Sequence, residues 1–138
     1  MGNLNREELI KLAKSGNKEA QFELAECYVF GDFGEVDYES AVYWYKQAAE
    51  QGHIYAFYGL GVCYENGYGV EVDYNKAINY YEVAAIKGDV EAMYNLAILY
   101  LEGTKVEQNL LDGIIWMERA AEGYYPKALK YFQNQEKE

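Results

Sequence analysis

Apolar and small residues recur at spacings of three and four on both sides of glycine-containing turns, the pattern of helices that bury one face. The pattern itself repeats. Ala20, Ala56, Ala92 and Ala128 stand 36 residues apart, and columns in the same register hold Leu24, Leu60, Leu96; Ala25, Gly61, Ala97; Tyr28, Tyr64, Tyr100; Gly31, Gly67, Gly103; Asp37, Asp73, Asn109; and Trp44, Tyr80, Trp116. The pairs Ala48-Ala49, Ala84-Ala85 and Ala120-Ala121 complete the register.

Each unit reads as two helices. The first carries the Ala, Leu, small and Tyr columns on one face, and the small residue lets a neighbouring helix approach closely. Gly31, Gly67 or Gly103 then supplies the positive φ common just past a helix end. Asp37, Asp73 or Asn109 sits where the N-cap of the second helix belongs, and that helix is expected to end at Gly52, Gly88 or Gly123. The chain ends hold half-units. Asn5 and Glu8 fit a capping box before a helix whose Leu9, Leu12-Ala13 and Gly16 match Tyr45, Ala48-Ala49 and Gly52; Pro126 suits the first turn of a last helix with Ala128, Tyr131 and Phe132. The expected organisation is one all-α domain over 1–138: a half-repeat at 4–16, repeats at 17–52, 53–88 and 89–123, a half-repeat helix at 124–134 and a tail at 135–138. Eight helices stacked in antiparallel pairs would form an α/α superhelical solenoid with one concave surface, because such a unit cannot bury its apolar face alone.

The second unit, from Ala56 through Leu60-Gly61, Tyr64, Gly67, Gly69-Val70, Asp73, Lys76-Ala77 and Tyr80-Tyr81 to Ala84-Ala85 and Gly88, resembles a Sel-one-like repeat almost column for column. The first unit departs at Phe33-Gly34 and Ser40, the third at Lys105, Gln108 and Gly113. The resemblance implies a solenoid related to tetratricopeptide repeats, used mostly as an adaptor or scaffold for protein partners. One branch of that family is secreted and cysteine-rich, with members that bind or slowly hydrolyse penicillin-type compounds. Its cysteine pairs fall at positions that here are Ala49 and Ala56, Ala85 and Ala92, and Ala121 and Ala128. Every one is alanine, so the β-lactam reading and the oxidising compartment both lose support. Cys27 and Cys63 share one column of successive first helices, whose axes should lie roughly 8 to 10 Å apart, too far for a disulfide, and read as buried reduced thiols.

Charge narrows the partners. The chain has 12 Lys+Arg against 23 Asp+Glu, a formal net charge of −11, and no basic cluster of the kind that phosphate binding needs, so nucleic acid is not an expected partner. No apolar run approaches the roughly 20 residues of a membrane helix. The start of the chain lacks the pattern of a secretory signal, and Arg6 stands where an acylation motif after Gly2 wants Ser or Thr; a cytoplasmic location is expected.

No catalytic constellation is legible, and neither enzyme activity nor a cofactor is expected. His53, the one histidine, follows Gly52 where other units carry Asn17 and Asp89, and reads as a capping or turn residue. One His and two Cys cannot fill a zinc shell without several carboxylates. The acidic turn from Asp32 to Asp37 lacks the alternation of a calcium loop, and Gly67-Tyr68-Gly69 is a repeat turn, not a phosphate loop. What remains is the face of the first helices opposite their core columns. It reads Glu19, Tyr55, Glu91, Lys127; Phe22, Tyr58, Tyr94, Lys130; Glu26, Val62, Ile98; and Val29, Glu65, Leu101. A solvated face should not be so apolar, and the expected peptide-binding groove comprises Phe22, Glu26, Tyr55, Tyr58, Val62, Tyr94, Ile98, Leu101 and Lys130. Its aromatics have a second reading, as rings stacked between adjacent helices. With Glu19, Glu23 and Glu26 at one end and Lys127 and Lys130 at the other, the groove predicts a protein or peptide partner with basic residues and apolar anchors. Two other readings stay open: a small-molecule binder or weak hydrolase of the penicillin-binding type, and self-association through the terminal half-units, with a monomer or weak homo-oligomer expected.

Overall fold

The computed structural model describes residues 4–137, and among them eight helices and no strand. In chain order they are α1 (Arg6–Lys14), α2 (Lys18–Phe30), α3 (Tyr38–Glu50), α4 (Ile54–Asn66), α5 (Tyr74–Ile86), α6 (Val90–Glu102), α7 (Leu110–Glu122) and α8 (Pro126–Glu136). The fold is all-α, built from repeated helix pairs. α8 continues to Glu136, into the stretch expected as polar tail.

The helix ends follow from single side chains. Asn5 and Glu8 close a reciprocal capping box on α1. Asp37, Asp73 and Asn109 accept from the backbone amides of Ser40, Lys76 and Asp112 at 3.1, 3.1 and 3.0 Å, capping α3, α5 and α7. Gly31, Gly67 and Gly103 end α2, α4 and α6 at φ of 70°, 75° and 66°. The second helices end less regularly. Gly52 and Gly88 take φ of 85° and 105°, but the residue 36 positions after Gly88 is Tyr124, and it adopts φ 62°. Gly123, expected to end α7, stays at φ −81°. A Cβ at Gly123 would run into Val90 Cγ1, so this glycine serves close packing of α7 on the start of α6 and not the turn.

The chain divides between Ala77 and Ile78 into two compact units. In the first, Leu9, Ala13, Ala20 and Leu24 form a core cluster covered by Leu12, Cys27, Tyr28, Phe33 and Trp44. Leu24 and Leu60 are fully buried, as are Ala25, Ala41, Ala48 and Ala56, whose small size lets helices pack closely. A Cβ on Gly59 of α4 would lie 2.6 Å from the buried Tyr45 ring of α3, so here glycine makes room for an aromatic. The departure at Phe33 has a packing role: its ring meets Tyr28 edge-on at 6.3 Å and lies 5.6 Å from the Arg6 guanidinium.

In the second unit Ala97, Met117, Ala120 and Ala128 form the core, covered by Met93, Trp116, Tyr125 and Phe132 among others. Two of the third repeat's departures, Gly113 and Gln108, both meet Leu101. A Cβ at Gly113, where the other repeats have Ala41 and Ala77, would come 2.7 Å from the Leu101 side chain, so the loss of a methyl on α7 makes room for Leu101 on α6. Gln108 donates from Nε2 to the Leu101 carbonyl at 2.9 Å, satisfying an acceptor in the last turn of α6.

Candidate functional site

The two units each carry part of the expected groove. In the first unit the residues are Phe22 and Glu26 on α2 and Tyr55, Tyr58 and Val62 on α4. Tyr55 is 58% exposed; Phe22, Glu26, Tyr58 and Val62 are half-buried. Phe22 is an inter-helix ring: it stacks on His53 with centroids 4.3 Å apart and planes at 16°, and lies tilted against Tyr45 and Tyr55 at 6.0 and 6.2 Å. Glu26 accepts from the Tyr45 hydroxyl at 2.5 Å. Burial first, and that carboxylate second, drive the Tyr45 hydroxyl far above its ordinary range, so it stays a donor throughout accessible pH.

In the second unit the same face carries Tyr94, Ile98 and Leu101 on α6 and Lys130 on α8. The first three are half-buried and pack against the Ala97, Met117, Ala120 and Ala128 cluster. Tyr94 tilts against Tyr125 at 5.4 Å and 52°, and the Lys127 ammonium lies 5.9 Å from the Tyr94 ring. Burial first, then Glu91, raises the Tyr125 hydroxyl above its usual range. Lys130 is exposed.

Two residues outside the expected groove organise these faces. His53 and Tyr125 each occupy the N-cap position of a first helix, and neither makes a side-chain capping hydrogen bond. Of the capping or turn role expected of His53, the turn position holds, while the side chain packs and does not cap. Its ring is buried against Phe22, and Nε2 lies 3.0 Å from Glu19 Oε2. With the proton assigned to Nε2 the ring donates to that carboxylate, leaving Nδ1, which is buried without a hydrogen-bond partner among the described residues, as a bare acceptor. Asp89, in the same column, does cap, with Oδ1 accepting from the Glu91 amide at 3.1 Å while Oδ2 is buried and unpartnered among the described residues. Burial holds its carboxyl above the usual range. The sequence signal for this column was the drift at a 36-residue interval from a short capping side chain, Asn17, to His53, Asp89 and Tyr125.

Cys27 and Cys63 are free thiols, the first half-buried and the second buried, pushed up to about 11 and about 12 mainly by burial. Among the described residues no three His, Cys, Asp or Glu side chains group closely enough to hold a metal ion, and no helix is long and apolar enough to cross a membrane. One open cleft of about 490 Å³ lies in the second unit, lined by Glu118, Ala121, Glu122, Phe132 and Glu136.

Comparison with known proteins agrees with this architecture. The Sel1 repeat family model matches residues 18–53, 54–89 and 90–125. Among solved structures, a protective antigen of uropathogenic Escherichia coli strains displaying an SLR fold is 39% identical, with a TM-score of 0.86 over 91% of this chain and 27% of that one. A Sel1 repeat protein from Oxalobacter formigenes is 37% identical, with a TM-score of 0.79 over 93% of this chain and 96% of that one. Helicobacter pylori cysteine rich protein B, 22% identical with a TM-score of 0.71 over 95% and 99% of the two chains, shares the fold. This chain thus spans about a quarter of the first relative and nearly all of the second. No match is found among curated proteins. Three successive repeat matches over most of the length, on helix pairs whose caps and core columns recur every 36 residues, mean that the chain belongs to the Sel1 repeat family.

Proposed function

We propose that this chain is a non-enzymatic adaptor that binds a peptide or protein segment carrying basic residues, using the first-helix faces of its repeats. Sel1 repeat proteins are generally protein-interaction scaffolds, and that much follows from family membership. The observation that carries the finer reading is the first unit's face, where the exposed Tyr55 ring adjoins Phe22 and His53, and where Glu19 is exposed beside them. Exposed aromatics on rigid helices are what interfaces use as anchors, and the neighbouring carboxylates select cationic partners. On the second unit's face Tyr94, Ile98, Leu101 and Lys130 supply the further contacts of this reading. Its place is the cytoplasm, a setting in keeping with two thiols that remain free.

The penicillin-type alternative finds little support. The open cleft is lined by three glutamates, which repel the carboxylate that such compounds carry. The alanines that stand where the cysteine-rich branch has its pairs are mostly buried: Ala49, Ala56, Ala85, Ala92 and Ala128 fill the core, so close helix packing takes the place of cross-links.

A peptide-display selection against the immobilised chain tests the proposal. Selected sequences should be enriched in Arg or Lys beside apolar anchors, and should lose most of their affinity for Tyr58→Ala/Ile98→Ala once circular dichroism shows that variant to be helical. Equal retention by both proteins would move the interaction away from these faces. A strictly monomeric mass by light scattering at high concentration would remove the self-association alternative.

A further inference from the structure

We infer that Glu19, Phe22, His53 and Tyr55 form a seat for one arginine side chain of the bound segment. The inference rests on the interaction reading above and adds the chemistry of a single contact.

An exposed glutamate ordinarily contributes little to binding, because its side chain must be ordered and its charge is screened. Glu19 differs. Its side chain is exposed, yet Oε2 is held at 3.0 Å by an imidazole that is itself buried and stacked on Phe22 at 4.3 Å. The carboxylate is therefore oriented before any ligand arrives, while Oε1 has no hydrogen-bond partner among the described residues. Glu26, two helical turns further along α2, is already engaged by the Tyr45 hydroxyl, so of these two carboxylates Glu19 is the one left open. Tyr55 stands beside this pair, edge-on to His53 at 6.0 Å and 58% exposed, and offers a flat apolar wall.

A wall of aromatic rings next to an oriented carboxylate fits a planar cation with donors on its edge. Guanidinium meets both demands, since it stacks on rings and pairs with carboxylates through its edge, whereas an ammonium is compact and strongly hydrated. The surroundings attract positive charge: residues 16–51 hold two lysines against eight acidic residues. His53 acts here as a positioning residue that fixes Glu19.

The test is a titration of the full 138-residue chain with N-acetyl-arginine amide, followed by backbone amide NMR shifts, beside the lysine and citrulline analogues. Saturable shifts are expected at Glu19, Phe22, His53 and Tyr55 with the arginine probe, weaker ones with lysine, and none with citrulline, which has the shape without the charge. Glu19→Gln and Tyr55→Ala, both at exposed side chains, should each weaken the arginine probe roughly tenfold, while Tyr43→Ala on α3 leaves it unchanged. His53→Asn introduces the capping side chain that Asn17 supplies in the same column and should reduce the arginine preference over citrulline without loss of helical circular dichroism. Equal shifts with citrulline, shifts centred on the Glu118, Glu122 and Glu136 cleft, or no saturable shift at all would overturn the arginine seat. If selected peptides bind these faces while the arginine probe does not, the seat falls and the interaction reading stands. If the probe binds but peptides are indifferent to Tyr58→Ala/Ile98→Ala, the seat stands and the wider reading falls.

Discussion

Tyr124→Gly is expected to stabilise the protein, although it deletes a large aromatic side chain. Tyr124 occupies the column of Gly16, Gly52 and Gly88, which take φ of 100°, 85° and 105°, and it is itself held at φ 62°. An L-residue in that region costs about 1 to 2 kcal/mol through the crowding of its Cβ against the backbone. Glycine removes the crowding but adds backbone entropy to the unfolded chain, which returns about 0.4 to 1 kcal/mol. The ring contributes little in compensation, because Tyr124 is 81% exposed. The balance favours Tyr124→Gly by about 0.5 to 1 kcal/mol, or roughly 2 to 3 °C in Tm for a domain of this size. Urea unfolding followed at 222 nm measures it, with an unchanged m-value showing that the stability itself moved. Two companions isolate the cause. Tyr124→Ala keeps the backbone crowding and should be close to neutral. Gly88→Ala, whose added Cβ would meet no atom within 4 Å, should lose about 1 kcal/mol from the backbone alone. Should Tyr124→Gly prove neutral or destabilising, or should Tyr124→Ala stabilise as much, the φ argument is refuted.

Three further outcomes follow from the same packing. Asp89 has a carboxyl raised by burial, so above its folded pKa the ionised form penalises the native state, and stability rises as pH falls through that pKa until the ordinary value near 3.9 is passed. Asp89→Asn, which retains the cap as Asn17 does in the same column, should therefore gain about 1 kcal/mol at pH 7 and nothing at pH 3, as read by urea unfolding at both. Gly59→Ala improves helix propensity by about 1 kcal/mol but sets a Cβ 2.6 Å from the Tyr45 ring, and a net loss of about 1 to 2 kcal/mol is expected; a gain would mean that the ring moves freely. Cys27 and Cys63, pushed up to about 11 and about 12, should react with iodoacetamide at pH 8 at least about a hundredfold more slowly in the native protein than in urea, and a native rate near that of a free thiol would contradict their burial.

The helices and most of their caps were legible because each rests on one residue type whose reason for being there is local. Asp37 needs only a free amide three residues on, and Gly31 only a turn with positive φ. The end of α7 misled for the same reason: Gly123 suggested a glycine-ended helix, while the positive φ fell one residue later on Tyr124, and the glycine answers to Val90 on another helix. The repeat interval was the better guide, since 36 residues after Gly88 is position 124. The residues of the expected groove were legible as a composition but not as an arrangement. Phe22 and Tyr55 fall in different columns of that face, but only the stacking of His53 on Phe22, a contact across 31 residues, makes one an inter-helix ring while the other faces solvent.

His53 shows what a repeat permits that a single helix does not. Its position needs a backbone entry into α4, which Gly52 and the His53 amide bond to the Ala48 carbonyl already supply, so the side chain is released from capping. The neighbouring repeat then decides what that side chain does: Phe22 below it gives an aromatic surface, and Glu19 beside it gives an acceptor. In the second unit the same backbone position holds Tyr125 against Tyr94, a pairing of rings with no carboxylate bond among the described residues. The cap column is thus a position of nearly fixed backbone geometry at which four residues in register, Asn17, His53, Asp89 and Tyr125, take different side-chain roles, two capping and two packing. Differences in binding among otherwise similar repeats are expected to concentrate there. Exchanging His53 and Asp89 for asparagine together should accordingly leave the fold intact while altering which ligands the faces retain.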